Sequence, residues 1–224
     1  MSYIQVEWMT AQDTGMEGYL VLGVTTRLAI YDYTCAIPRN ISDDDFDDPT
    51  TELPPSEALE EATEASYTIV KGRLILVLGG IIELIGSRTK IRREDLEKHG
   101  EARLEARELI PRYLPVQPFT PTASDTATAK LQRSRIDVDS VYHLGRCLLF
   151  RKFVPQARRY PAAIEYRDNC IDAAMILLSH QAALALDHGA TCPRNVQKRH
   201  FHRLTTHDFF LAAIIVAVDL YAEV

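Results

Sequence analysis

The 224 residues are 46% hydrophobic and 25% charged, the composition of an ordinary globular chain long enough for one domain with a sizeable core. Thirty-one acidic residues against 25 basic ones give a net charge of −6. A domain that grips nucleic acid neutralises phosphates with clustered Lys and Arg, so this balance argues against direct DNA binding by these residues.

The opening MSYIQVEWMT lacks the basic-then-apolar order of a secretory signal. Residues 19–30 are apolar enough for either a helix or a strand, and the pattern does not choose. From 38 to 55 the character changes to four prolines and a run of aspartates. Proline removes backbone donors and keeps the preceding residue out of helical geometry, while the repelling aspartates favour a solvated loop.

Residues 66–87 carry Tyr67, Val70, Leu74, Val77, Leu78, Ile81, Ile82 and Ile85 at three- and four-residue intervals, which predicts a helix. Ile75, Leu76 and Leu84 widen that face, so the helix is expected to be covered on most sides. Glu83 interrupts the apolar run, which is too short for the ~20 residues of a membrane span. Gly79-Gly80 costs helix propensity but allows another helix to approach closely.

Residues 92–109 alternate in charge around a sparse stripe of Leu96, Leu104 and Leu109, the pattern of an exposed amphipathic helix stopped by Pro111 and Pro115. A Pro/Thr/Ser/Ala loop is expected from 115 to about 129. Residues 136–153 form the next predicted helix, with Ile136, Val141, Leu144, Leu148 and Leu149, ended by Pro155. Residues 166–186 follow with Cys170, Ala173, Ala174, Leu177, Leu178 and Gln181, and Gly189 stands where a helix C-cap belongs. Thr205-Thr206-His207-Asp208 resembles a capping box that opens a last helix, apolar from 209 to 218. No strand alternation appears in this half, so the fold class is all-α, a bundle-like arrangement with long acidic and Pro-rich loops. The apolar run close to Val224 leads us to expect part of a larger helical domain.

Four cysteines, Cys35, Cys147, Cys170 and Cys192, lie far apart with no C-x-x-C pair, and read as buried free thiols rather than zinc ligands. His200, His202, His207 and Asp208 form the one metal-like cluster. A metal-dependent enzyme built on them is the rival reading, although Lys198, Arg199 and Arg203 would repel a cation there. The bland reading is a capped helix start with surface histidines, and residues 196–203 as a solvated basic loop between helices. No nucleophile elbow, phosphate loop or calcium loop occurs, so no catalytic, cofactor-binding or metal residue is assigned.

Four segments in order resemble a known family. They are Ile37-Pro38-Arg39-Asn40-Ile41-Ser42 with DDDFDDPTTELPPS, then YHLGRCLLFRKF at 142–153, RDNCIDAAMILLSHQ at 167–181, and LTTHDFFLAAIIVAVDL at 204–220. Together they are similar to the fungal-specific transcription factor regulatory domain, the middle homology region of zinc binuclear cluster transcription factors. The resemblance implies an all-α regulatory domain over 36–224, with 1–35 a poorly matched remnant in which Trp8 is the one reminder of the family. It implies a nuclear location, protein partners such as a homodimer or a heterodimer with zinc cluster regulators, response to an effector, and no catalytic residues or membrane. Zinc and direct DNA contact would belong to a six-cysteine N-terminal cluster, which these residues lack, so DNA is reached only indirectly. A third reading is a small-molecule binding module of a fungal pathway, acting without catalysis.

Overall fold

A computed structural model describes residues 38–45, 52, 54–63, 65–87, 91–116, 126–190 and 197–223, without the side chains of 43, 126–130, 185–190, 197–207 and 222–223. Among the described residues five α-helices follow one another: α1 Ser66–Gly86, α2 Arg93–Glu108, α3 Thr126–Phe150, α4 Ile164–Ala190 and α5 Gln197–Glu223. Short 3-10 turns stand at Asp43–Asp45, Arg151–Phe153 and Pro161–Ala163. Among the described residues there is no strand, and the protein is all-α.

Helix α3 is the axis of the fold. Ile136, Val138, Tyr142, Leu144, Cys147, Leu148, Leu149 and Phe150 are all buried along it, so it is covered nearly all round by α1, α2, α4 and α5. One core joins Leu78 and Ile81 of α1, Leu96 of α2, Leu148 of α3, Leu177 of α4 and Phe209 of α5. A second gathers Val70 and Leu74 of α1, Ala106 of α2, Leu114, and Val138 and Tyr142 of α3. Burial of apolar surface on this scale supplies the main driving force for the arrangement. Phe150 and Phe153 then sandwich against Tyr166, at 5.4 and 4.8 Å between ring centres, and close the α3–α4 connection.

Several boundaries differ from the sequence expectation. Helix α3 begins at Thr126, ten residues before the first apolar stripe residue, and takes the last part of the expected 115–129 loop into the helix. Helix α4 continues through Gly189 to Ala190, so that glycine does not cap it. Helix α5 starts at Gln197, which makes 198–203 helical rather than a loop and places Thr205–Asp208 inside the helix rather than at its start.

Burial also departs from the expected stripes. In α1, Leu76 is 43% exposed, so the helix is not covered on that side. In α2, Leu104 and Leu109 are exposed, and the inward face is Leu96, Arg103 and Ala106. Spacings of seven and three keep those residues on one side of a helix, whereas Leu104 and Leu109 fall away from it. In α4, His180 rather than Gln181 takes the inward position after Leu177. The Gly79-Gly80 pair does admit a neighbour: a Cβ at Gly80 would stand 3.5 Å from His99 Nε2 of α2.

Candidate functional site

The most distinctive chemistry lies on α3, where Arg135, Asp137, Asp139, Ser140 and His143 interrupt the apolar residues of the axial helix. Four of the five are buried, and Asp139 is partly exposed. Successive positions on a helix point in different directions, so these groups reach different neighbours. Asp137 turns to α1: it accepts a hydrogen bond from the Tyr67 hydroxyl and pairs with Lys71 Nζ at 2.6 Å. Burial, with the Asp137 charge beside it, pushes the Tyr67 phenol far above its ordinary value, so the phenol stays protonated and donates.

Asp139 turns to α4. His143 Nε2 lies 3.4 Å and His180 Nε2 3.3 Å from its Oδ2. The second nitrogens face donors: His180 Nδ1 is 3.0 Å from Ser140 Oγ, and His143 Nδ1 is 3.3 Å from Arg146 Nη1. That arrangement lets each imidazole give its Nε2–H to Asp139. Burial alone would raise the Asp139 carboxyl, but the bonds from His143 and His180 prevail and hold it well below the usual carboxylate range. His143 moves down from its ordinary value, chiefly because burial disfavours its charged form and in spite of Asp139.

Ser140, His180 and Asp139 touch in the order of a hydrolase triad. Ser140, however, is 3% exposed in the middle of α3, where backbone N–H groups are committed to the helix ladder. No donor pair is left there to stabilise an oxyanion, so the contacts act as a strut between α3 and α4.

Asp208 is the one member of the His200, His202, His207 and Asp208 cluster whose side chain is described. Burial, helped by the Asp137 charge and opposed by Lys71, pushes its carboxyl up to about 7. Asp208 is therefore coupled to the α1–α3 pair. The three histidine side chains lie outside the described residues. Their backbone positions are helical, and positions two apart on a helix, such as 200 and 202, do not share a face. Among the described residues no group of three His, Cys, Asp or Glu is placed to hold a metal.

The motif residues fall into structural contacts. Asn40 is buried: its amide donates to Ala58 O (2.8 Å) and Glu61 O (3.1 Å), and its Oδ1 accepts from Thr63 Oγ1 and Ser66 Oγ, both at 2.7 Å. Arg39 Nη1 donates to Pro54 O at 3.1 Å. The Asn-containing and Pro-Pro-Ser segments thus close one loop and pin it to the start of α1. Cys147 and Cys170, as expected, are buried free thiols, each against the other's carbonyl at 3.9 and 3.7 Å. Its contact with Cys170, then burial, pushes the Cys147 thiol up, which keeps it protonated and unreactive. Cys35 and Cys192 lie outside the described residues. Arg167 of α4 grips Asp219 of α5 through two hydrogen bonds of 2.6 Å. Sequence reasoning missed Arg103, Asp137 and Asp139, and quoted Asn40, His143 and His180 only as motif letters without a role; the available signal was a polar residue standing in an apolar register.

An all-helical segment held by buried polar struts, with its motif residues spent on packing, is the class of protein these features define. The chain is similar to Zn(2)-C6 fungal-type transcription factors. It is 26% identical to the Zn(2)-C6 fungal-type transcription factor pigI of Monascus ruber, over 97% of this chain and 32% of that protein. It is 30% identical to the Zn(2)-C6 fungal-type transcription factor mpsB of Macrophomina phaseolina, over 82% of this chain and 24% of that protein. The Equisetin cluster transcription factor eqxF of Fusarium heterosporum is 26% identical over 82% of this chain and 26% of its own length. The chain thus spans between 24% and 32% of the length of these relatives. No family model and no solved structure matches it.

Proposed function

We propose that residues 36–224 form a regulatory unit of a transcription regulator, which acts in the nucleus through protein contacts and responds to an effector held among its helices. It is not an enzyme in this reading. The kinship to fungal transcription factors supports the regulatory part.

The observation that carries the protein-contact part is the outer face of α5. Phe210, Ile214, Val218 and Tyr221 are 65%, 44%, 41% and 86% exposed. Their spacing of four, four and three puts them on one side of the helix, opposite the buried Phe209, Ala212, Ile215 and Asp219. An apolar stripe two to three turns long is costly in water and marks an interaction surface. An open cleft of about 800 Å³, lined by Pro155, Arg158, Arg159, Tyr160 and Tyr221 among others, lies at the end of this stripe. The occupant that fits is the equivalent helix of a second family member, because such a helix offers the same apolar face in return. A partner that carries a zinc cluster would bring DNA contacts to the pair.

The test is co-purification from the native cell with antibodies to zinc cluster regulators. Recovery of this chain, lost in a Phe210→Glu/Tyr221→Glu variant, supports the reading. Equal recovery of the variant, or none of either, overturns it.

A further inference from the structure

The junction of α1, α2 and α3 brings three arginines together. Arg103 is 93% buried by its 7% exposure, and its Nε and Nη1 have no hydrogen-bond partner. Its guanidinium carbon lies 4.6 Å from the centre of the Tyr142 ring, and that of Arg107, one turn further along α2, lies at the same distance from the same ring. Arg146 of α3 stands close enough to disfavour the charge on Arg103, as does Arg107. Arg146 spends its own donors on His143 Nδ1 and Asn169 Oδ1. Among the described residues, no carboxylate pairs with any of the three arginines. A guanidinium cannot shed its proton at physiological pH, so two buried nitrogens, Nε and Nη1, keep N–H groups without an acceptor. An uncompensated buried cation is among the costliest features a fold can retain, and it is retained where an anion completes it.

Burial grades across the cluster. Arg107 is exposed, Arg146 is half-buried and Arg103 lies at the base. An anion entering from solvent would pass Arg107 and Arg146 before it met the free N–H groups of Arg103. The guanidinium fork matches carboxylate and phosphate oxygens, and the Tyr142 face prevents Arg103 from turning away.

We propose that Arg103, Arg107 and Arg146 form the binding site for a small molecule carrying a carboxylate or phosphate, seated between α2 and α3 beside Tyr142. This deepens the effector part of the proposed function and rests on it for its regulatory meaning, though not for the binding itself. Bound there, the oxyanion would tie α2, otherwise attached by Leu96 and Ala106, to α3. Through Arg146 and Asn169 it would also bear on α4.

The experiment titrates the whole 224-residue chain with inorganic phosphate and, separately, malonate. Chloride serves as the control at matched ionic strength, and the arginine Nε–H resonances are followed by NMR. The expected result is a saturable shift of the Arg103 resonance with phosphate or malonate and none with chloride. Arg107→Gln/Arg146→Gln, at accessible positions, is expected to weaken saturation at least about tenfold. Arg103→Met, which keeps the buried stem, is expected to abolish it and to melt no lower than wild type in chloride. A purely structural arginine would lower that melting temperature. Absence of saturation, or equal saturation in the double variant, overturns the proposal. So does an Arg103→Met variant that loses partner binding while wild type ignores both oxyanions, because the cluster would then be a protein contact. Failure of partner capture alone leaves the titration result standing, so the two readings fail separately.

Discussion

Asn40 illustrates how one polar side chain can hold a proline-rich loop that has no helix or strand to brace it. Four side-chain hydrogen bonds and a backbone bond of 2.7 Å from Glu57 N converge on it, with little access to water. Alanine there would leave buried carbonyls and hydroxyls without partners, and the expected loss is about 2–4 kcal/mol in urea unfolding. A loss below about 0.5 kcal/mol would show that the loop does not brace α1. Asp208 works in the opposite sense. Its carboxyl is raised from 3.8 to about 7, so the folded state holds a proton that the unfolded state releases. That contribution is fully present below pH 3.8 and is lost as pH rises through about 7. Asp208→Asn is therefore expected to stabilise the protein at pH 8 by on the order of 1–2 kcal/mol and to give no gain below pH 4. His143, held below its ordinary value, pulls the other way as pH falls from 6.5, so the difference between variant and wild type is the quantity to measure by thermal melts across pH. A gain independent of pH would contradict the assignment. These residues were hard to read in the sequence because polarity at a single position does not reveal burial; only the register around His143, between Tyr142 and Leu144, hinted at it.

At the scale of elements, periodicity made the helices legible wherever apolar residues made the inward face. Helix α1 was expected at 66–87 and spans Ser66–Gly86, and α2 was expected at 92–109 and spans Arg93–Glu108. The reading failed where helix propensity outran the apolar stripe: nothing apolar before Leu131 announces that α3 begins at Thr126, and Ala-Thr-Ala-Lys offers no stop signal either. It also failed in α2, where an arginine stem replaces an apolar side chain at an inward position. Between α4 and α5, the Arg167–Asp219 fork joins two motif residues 52 positions apart, a contact that spacing alone does not show. Asp219 is nearly buried and Arg167 is about a quarter exposed, so each loses more than it would at the surface if left alone. A double-mutant cycle with Arg167→Met and Asp219→Asn is expected to give a coupling of about 1–3 kcal/mol by chemical denaturation. Additive effects would show that the pair contributes nothing to the packing of α5.

Across the whole molecule, the core and the surface answer different questions. The core closes around α3, and its struts, Tyr67–Asp137–Lys71 and His143–Asp139–His180, face α1 and α4, so the polar chemistry is used to fix helices against one another. The proposed functions rest on two other features: the exposed apolar stripe of α5, and the arginine cluster that runs from the surface at Arg107 to the buried Arg103. The motif order pointed to the family, and the relatives found are Zn(2)-C6 fungal-type transcription factors; several motif residues make long-range contacts, among them Asn40, Cys147, Cys170, Arg167 and Asp219. The stripe was not legible, since the sequence marks 209–218 as apolar without saying which side is covered.

The most direct test of action through protein contacts is sedimentation of the chain, alone and mixed with the homologous region of a zinc cluster regulator. Self-association or a mixed complex is expected at micromolar concentration, abolished by Phe210→Glu/Tyr221→Glu with no change in helix content, since both side chains are exposed. A wild-type chain that stays monomeric up to about 100 μM, with no mixed species, would contradict the account.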